Sequence, residues 1–394
     1  MGRCYVQGVA QWKTLPAGQQ PDWPDQDALA HARAVLKDAP PLVGAADVAE
    51  LRALLAAAAL GEAQVVQSGD CAEDPAECTP GYVARKAALL DVLAGVMKAR
   101  SLKPVIRVGR LAGQFGKPRS KPTETVDGVE LPVYRGHMVN SPEPDARLRR
   151  PDPERLIAGY RASAQAMRSL GWHGNRRRSA AEAPVWTSHE ALLLDYEEPL
   201  LRAGPDGSAL LTSTHWPWIG ERTRDPRGAH VALLAEVTNP VAVKVGPGAS
   251  PEELLELCER LDPRREPGRL TLIARMGRGA AAERLPRLVL AVRTAGHPVL
   301  WLCDPMHGNT VSTPDGLKTR YVESVVREVE EFQSAVTEYG GVAAGLHLET
   351  TPDRVRECVA DASRVGELGE KYATFCDPRL NPDQALDVVS AWRG

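Results

Sequence analysis

Four residues far apart in the sequence, Cys71, His307, Glu349 and Asp377, and six cations, Arg110, Lys117, Arg119, Arg222, Lys244 and Arg275, hold most of the chemistry legible in this chain. Most of them sit at or just beyond the end of a short apolar run. His307 belongs to Asp304-Pro305-Met306-His307-Gly308-Asn309-Thr310, which follows Pro298-Val299-Leu300-Trp301-Leu302-Cys303. An apolar run that breaks abruptly into Asp, His, Gly and Asn reads as a buried strand delivering polar groups into a site. One such break would be weak, but the arrangement recurs about eight times.

Two chemistries follow from these residue types. Six cations gathered in one cavity of a protein with net charge −3 are costly unless anions arrive to pair with them, and guanidinium forks suit phosphate and carboxylate groups. The alternative is a structural network in which each cation has its own Asp or Glu. One thiolate, one imidazole and two carboxylates suit an exchangeable Mn2+, Co2+, Fe2+ or Zn2+ better than a closed structural zinc site, which usually has several thiolates at short spacing. On spacing alone, a buried cysteine at 71 and a hydrogen-bonded core histidine at 307 is the blander alternative, and it stays open. Two further carboxylates end such runs, Glu190 in Ser188-His189-Glu190 and Glu221 in Trp218-Ile219-Gly220-Glu221-Arg222.

The elements that must position these groups alternate short β-like runs with amphipathic helical stretches, the pattern of a parallel sheet. The expected strands are residues 64–68, 104–108, 184–188, 208–212, 241–245, 271–274, 298–302 and 342–347. Eight is the number that closes a (β/α)8 TIM barrel, whose reactive groups gather at the C-terminal strand ends. Residues 1–60 read as an N-terminal helical extension, with helices over 27–37 and 46–60, the second stopped by Gly61. Residues 61–394 read as the catalytic barrel, including the C-terminal segment that holds Asp377. Ser250-Pro251-Glu252-Glu253 is a capping box, and Val322, Val325, Val326 and Val329 form an apolar stripe read as core. The Pro-, Gly- and Arg-rich segments 118–128 and 173–183 read as loops, one over the site and one at the surface.

Composition narrows the class. With 394 residues, 43% hydrophobic and 25% charged, a large core needs no disulfides. The near-neutral charge gives no footprint for nucleic acid or an anionic membrane. No apolar run approaches the roughly 20 residues needed to span a bilayer and the N-terminus lacks a leader pattern, so the expected location is cytoplasmic. Seven cysteines are odd and scattered. Cys4, Cys78, Cys258 and Cys358 read as ordinary thiols, while Cys71, Cys303 and Cys376 lie within motifs.

At these residues the chain resembles the type II (plant-like) 3-deoxy-D-arabino-heptulosonate 7-phosphate (DAHP) synthases. The resemblance runs in order from Gln67 to Asn381 through GDCAE, GRLAGQFGKPRS, TSHEALLLDYE, WIGERTR, VKVGPG, ARMGRG, DPMHGNT, KTR, LHLE and CDPRLN. It implies a metal-dependent (β/α)8 barrel that condenses phosphoenolpyruvate with an aldose phosphate, erythrose 4-phosphate. By motif matching, Cys71, His307, Glu349 and Asp377 would bind the metal, Mn2+ or Co2+ ahead of Fe2+ or Zn2+. Arg110, Trp218, Glu221, Arg222, Lys244 and Arg275 would hold phosphoenolpyruvate, and Lys117, Arg119 and Ser120 the aldose phosphate. Lys117, Glu221 and Glu190 are the candidate catalytic groups, Lys117 delivering a proton to the new hydroxyl and the two carboxylates placing a water. Analogy with the family also implies a homo-oligomer, dimer or tetramer.

The chain departs from the family where members read GGDCAE, with Ser68-Gly69-Asp70-Cys71, and where they read YRGD, with Tyr134-Arg135-Gly136-His137. The histidine at 137 motivates an alternative second substrate, an amino- or otherwise altered aldose phosphate of secondary metabolism such as antibiotic biosynthesis. An inactive barrel used for binding is the alternative from another class.

Overall fold

A computed structural model describes residues 11–126, 128–172, 182–369 and 371–393. Cys4 and most of the expected loop at 173–183 lie outside them. Eight parallel strands close into a barrel, numbered here in chain order: β1 (Gln64–Gly69), β2 (Val105–Arg110), β3 (Val185–Glu190), β4 (Trp216–Ile219), β5 (Val241–Val245), β6 (Leu270–Ala274), β7 (Leu300–Cys303) and β8 (Val342–Glu349). Each pairs with the strands before and after it in the chain, and β8 closes on β1 with Val65 opposite Gly345 and Gly69 opposite Glu349.

Seven strands lie where the apolar runs predict them, within about two residues. The fourth does not. Residues 208–212 contribute Ala209–Leu211 to a two-stranded antiparallel ribbon with Leu201–Ala203, and the barrel strand is the next run, Trp216–Ile219. Proline in a run argues against a central strand because it cannot donate to the ladder, and Pro217 masks this one. The segment 118–128 is likewise more ordered than expected: Thr123–Val126 pairs with Val129–Pro132 as an antiparallel hairpin.

Strand alternation divides the core in two. Side chains turned outward, such as Val66, Val243, Leu272, Trp301 and Leu346, pack with the surrounding helices, including the stripe Val322, Val325 and Val329. Those turned inward, Val65, Val108, Trp186, Trp216, Ile273, Leu300 and Leu302, form the barrel interior together with Leu51, Leu55 and Ala58 of the helix Ala45–Ala59. That helix therefore closes the barrel at its N-terminal end, and Arg52 at its surface is ion-paired with Glu266. Leu55 is fully buried. Leu55→Ala is expected to destabilise the protein by about 2–5 kcal/mol, as large-to-small core changes do, read from the midpoint of denaturant unfolding. The strand between the two cores has one tight spot at Gly345, whose φ is +153° and where a Cβ would lie 1.9 Å from the Val65 carbonyl oxygen; only glycine fits there.

Among the described residues no helix is long and apolar enough to cross a membrane.

Candidate active site

Above the apolar plug the interior turns polar, because the last inward positions of the strands carry Gln67, Arg110, Lys244, His347 and Glu349. Gln67 ties β1 to β3 and β8 by bonding Ser188 Oγ at 2.8 Å and His347 Nδ1 at 2.6 Å. Over this layer opens a cavity of about 680 Å3 at the C-terminal ends of the strands, lined by all six of the cations singled out from the sequence and by Cys71, Ser120, Glu190, Trp218, Glu221, His307 and Asp377. Glu349 lies just beneath it, fully buried.

Four of the six cations have carboxylate partners, as the structural-network alternative expects. Arg110 Nη2 is 3.0 Å from Glu349 Oε1, Lys117 Nζ is 2.7 Å from Asp377 Oδ2, Arg119 Nη2 is 2.7 Å from Glu124 Oε2, and Lys244 pairs with Asp304. Arg222 and Arg275 form no ion pair among the described residues. Arg222 Nη2 donates to Ser120 Oγ at 2.6 Å, and Arg275 reaches only the His307 carbonyl, at 3.5 Å. The network is thus incomplete, leaving cationic groups for an incoming anion.

Arg110 and Lys244 face the indole of Trp218, at 5.2 and 5.9 Å from the ring. Burial pulls the Lys244 ammonium down to about 8, against the attraction of Asp304; an anion bound beside it would raise it again. Burial, aided by Lys244 and Arg110, holds His347 well below the usual histidine range. Its neutral ring can then accept from Arg110, which it touches.

Cys71 Sγ, a Glu349 oxygen and an Asp377 oxygen lie within 4.8 Å of one another. His307 stands beside this cluster without joining it: its Nε2 is 3.1 Å from Glu349 Oε1, and its Nδ1 is held by Asp304 at 2.7 Å. A carboxylate on one ring nitrogen is the usual way a histidine is aimed at a metal with the other. The Lys117 ammonium sits between two of the donors, 2.6 Å from Cys71 Sγ and 2.7 Å from Asp377 Oδ2, so the cluster already accommodates positive charge. Donor chemistry and this captured cation both fit a divalent ion.

The same charges shift the protonation of the surrounding groups. Burial alone would raise Glu349 and Asp377. Instead His307, Arg320 and Arg110 hold Glu349 well below the carboxylate range, and Lys117, with Arg320 and Lys318, does the same for Asp377. Burial would lower Lys117, but Asp377, Cys71 and Glu349 push it well above its ordinary value. Burial pushes the Cys71 thiol up, so a metal bound there must displace its proton.

Glu190 is raised by burial, against Lys117 and Lys244. Its Oε1 is buried with no hydrogen-bond partner among the described residues. Gly220 leaves it room, since a Cβ there would come within 2.0 Å of that oxygen and turn the carboxylate away. Glu221 is turned toward Arg224, with its Oε1 3.1 Å from that guanidinium. His137 does not line the cavity. Its Nδ1 is 2.7 Å from the Tyr134 hydroxyl and its ring packs edge-on to Phe375, so it braces the segment ahead of Asp377. Ser68, the other departure, is buried and bonds Thr350 Oγ1 at 2.6 Å. Sequence reasoning gave no role to Lys318, which lines the cavity 2.8 Å from Asp377 Oδ1. Its only signal is the run Lys318-Thr319-Arg320, too short to weigh by itself.

Comparison with known proteins bears on this cavity. The model of the class-II DAHP synthetase family matches residues 7–171 and 164–391. A probable phospho-2-dehydro-3-deoxyheptonate aldolase of Pseudomonas fluorescens is 55% identical over 376 residues, 95% of this chain and 94% of that protein. A phospho-2-dehydro-3-deoxyheptonate aldolase of Streptomyces coelicolor is 41% identical over 96% of this chain and 95% of its own length. One of Mycolicibacterium smegmatis is 39% identical over 95% and 91%.

Proposed function

The chain belongs to the class-II DAHP synthetase family, and from that premise we infer that it condenses phosphoenolpyruvate with erythrose 4-phosphate to give DAHP and inorganic phosphate. The observation that carries the reading is the meeting, at one cavity and its floor, of incompletely paired cations with a Cys71, Glu349 and Asp377 donor cluster. Two phosphorylated substrates need the first, and an aldehyde to be activated needs the second.

Cys71, His307, Glu349 and Asp377 would hold a divalent metal, Mn2+ or Co2+, which supplies Lewis-acid polarisation of the aldehyde carbonyl. The remaining work belongs to side chains. Arg110, Lys244 and Arg275 bind the carboxylate and phosphate of phosphoenolpyruvate, with Trp218 as a flat wall under them and Glu221 and Arg222 at the edge. Lys117, Arg119 and Ser120 take the aldose phosphate nearer the mouth. Bound this way, C3 of phosphoenolpyruvate faces the aldehyde carbon, and the gain is one of proximity and orientation. As the carbon–carbon bond forms, Lys117 delivers a proton to the aldehyde oxygen, which becomes a hydroxyl. Positive charge develops at C2, where water adds. Glu190, whose raised pKa suits a general base, takes the proton of that water, with Glu221 helping to place it. The hemiketal phosphate then expels inorganic phosphate.

His137 lies outside the cavity lining, so the altered-aldose reading loses the residue that motivated it. Family membership supports a homo-oligomer, dimer or tetramer, working in the cytoplasm. The test is consumption of phosphoenolpyruvate and release of phosphate with erythrose 4-phosphate. Chelation is expected to abolish turnover, and added Mn2+ or Co2+ to restore it. Turnover that survives complete chelation would remove the metal from the mechanism, and turnover only with another aldose phosphate would replace the substrate.

A further inference from the structure

Three charged residues take no part in this chemistry: Asp70 beside Cys71 and Arg379 two residues beyond Asp377, both in motifs quoted above, and Glu357. They are deeply buried, at 0%, 0% and 7% exposure. Charges at that depth are tolerated only when well paired, and here they pair with one another. Arg379 Nη1 donates to Asp70 Oδ1 at 2.8 Å. Its Nη2 and Nε donate to the two oxygens of Glu357 at 2.8 and 3.1 Å. Glu357 Oε2 also accepts the Arg379 backbone N–H at 2.7 Å, so it grips main chain and side chain together. The second oxygen of Asp70 is paired with buried Lys86 on the helix Pro80–Ser101.

One end of this bridge is a residue from Cys71 and the other two residues from Asp377, although those two donors are 306 residues apart in the chain. The third donor is tied to the same segment by main chain, because Leu380 N donates to the Glu349 carbonyl at 2.9 Å and Thr351 N to the Leu380 carbonyl at 3.0 Å. A cluster drawn from one strand-end loop, one strand and a C-terminal segment has no local means of keeping its spacing. The Arg379 fork supplies a rigid link with fixed geometry, which a flexible ammonium would not.

We propose that Arg379 is the positioning residue of the metal site: clamped between Asp70 and Glu357, it sets the separation of Cys71 and Asp377 and thereby the affinity for the divalent ion, without touching substrate. The proposal rests on the metal reading above. Groups hydrogen-bonded directly to a ligand typically change metal affinity by about 10–100-fold when replaced; Arg379 acts one step further back, through the backbone next to Cys71 and Asp377, so the lower end of that range is expected.

Arg379→Lys keeps the charge and loses the fork, and Asp70→Asn keeps the shape and one hydrogen bond; either serves if the other fails to fold. Binding is read from the electron paramagnetic resonance signal of free Mn2+, with folding checked by circular dichroism. The expected result is a Mn2+ Kd raised about 10-fold or more, with kcat at saturating Mn2+ and the KM for phosphoenolpyruvate within about two-fold of wild type. A purely structural role would lower the melting temperature and leave the Kd unmoved. A folded variant that binds Mn2+ as tightly as wild type overturns the proposal, and so does a loss of kcat that saturating Mn2+ does not restore. If the wild-type protein itself binds no Mn2+, the metal reading falls and this proposal with it, an outcome told apart by the wild-type titration alone.

Discussion

Cys71→Ala is expected to lower kcat/KM by at least about 10^3-fold while the protein stays folded. The size follows from what the donor supplies. Lewis-acid stabilisation of developing charge contributes several kcal/mol, and each 1.36 kcal/mol is a factor of ten in rate. The fold has less at stake. Cys71 is buried and its thiol is pushed up by that burial, so alanine removes one sulfur atom and no buried charge. Lys117 keeps Asp377 as its partner. The check is a steady-state assay with and without added Mn2+, beside a Mn2+ titration of the same variant. Turnover retained although Mn2+ binding is lost would remove the metal from the reaction, and Mn2+ bound as tightly as by wild type would remove Cys71 from the metal site.

Lys117→Met is expected to separate chemistry from metal binding. If the ammonium is the proton donor to the new hydroxyl, kcat falls by about 10^2–10^4-fold, the usual contribution of a positioned acid or base. Mn2+ affinity should hold or rise, because Lys117 now stands between Cys71 Sγ and Asp377 Oδ2 and a cation there competes with any other. Methionine fills much of the same volume without charge. A fall in Mn2+ affinity that accounts for the whole loss of kcat would show that Lys117 organises the donors and does not transfer the proton.

The sequence made the strand ends readable because parallel barrel strands are buried on both faces and so appear as unbroken apolar runs. That logic found β1, β2, β3 and β5 to β8, and with them Arg110, Lys117, Arg119, Lys244 and Arg275, but not Lys121 and Lys318, which also line the cavity. It missed β4 because Pro217 contradicts the ordinary signature of a central strand. The Pro-, Gly- and Arg-rich composition after Pro118 masks the hairpin there, although Asp127-Gly128 is a strong turn signal between two short β-like runs. What could not be read at all was pairing. Nothing in the spacing of Lys117 and Asp377, or of Arg379, Asp70 and Glu357, tells which carboxylate meets which cation, since those contacts exist only after distant segments close on one another. The metal donors show the same limit. Residue type makes Cys71, Glu349 and Asp377 candidates and motif resemblance assigns them, but only the closed barrel brings their ligating atoms within 4.8 Å.

The helix Ala45–Ala59, which fills the N-terminal end of the barrel with Leu51, Leu55 and Ala58, governs traffic as well as stability. A barrel stoppered at one end has a single doorway. On the assignment made here, the innermost groups for phosphoenolpyruvate lie deep, with Arg110 and Lys244 only 2% and 5% exposed, whereas Arg119 and Ser120 of the aldose-phosphate site stand half-buried and exposed nearer the rim. The second substrate to arrive must then sit over the first, and a molecule of aldose phosphate that enters early blocks the way for its partner. Binding becomes a queue: phosphoenolpyruvate first, the sugar after it, and the long product out before the phosphate it leaves behind at the bottom.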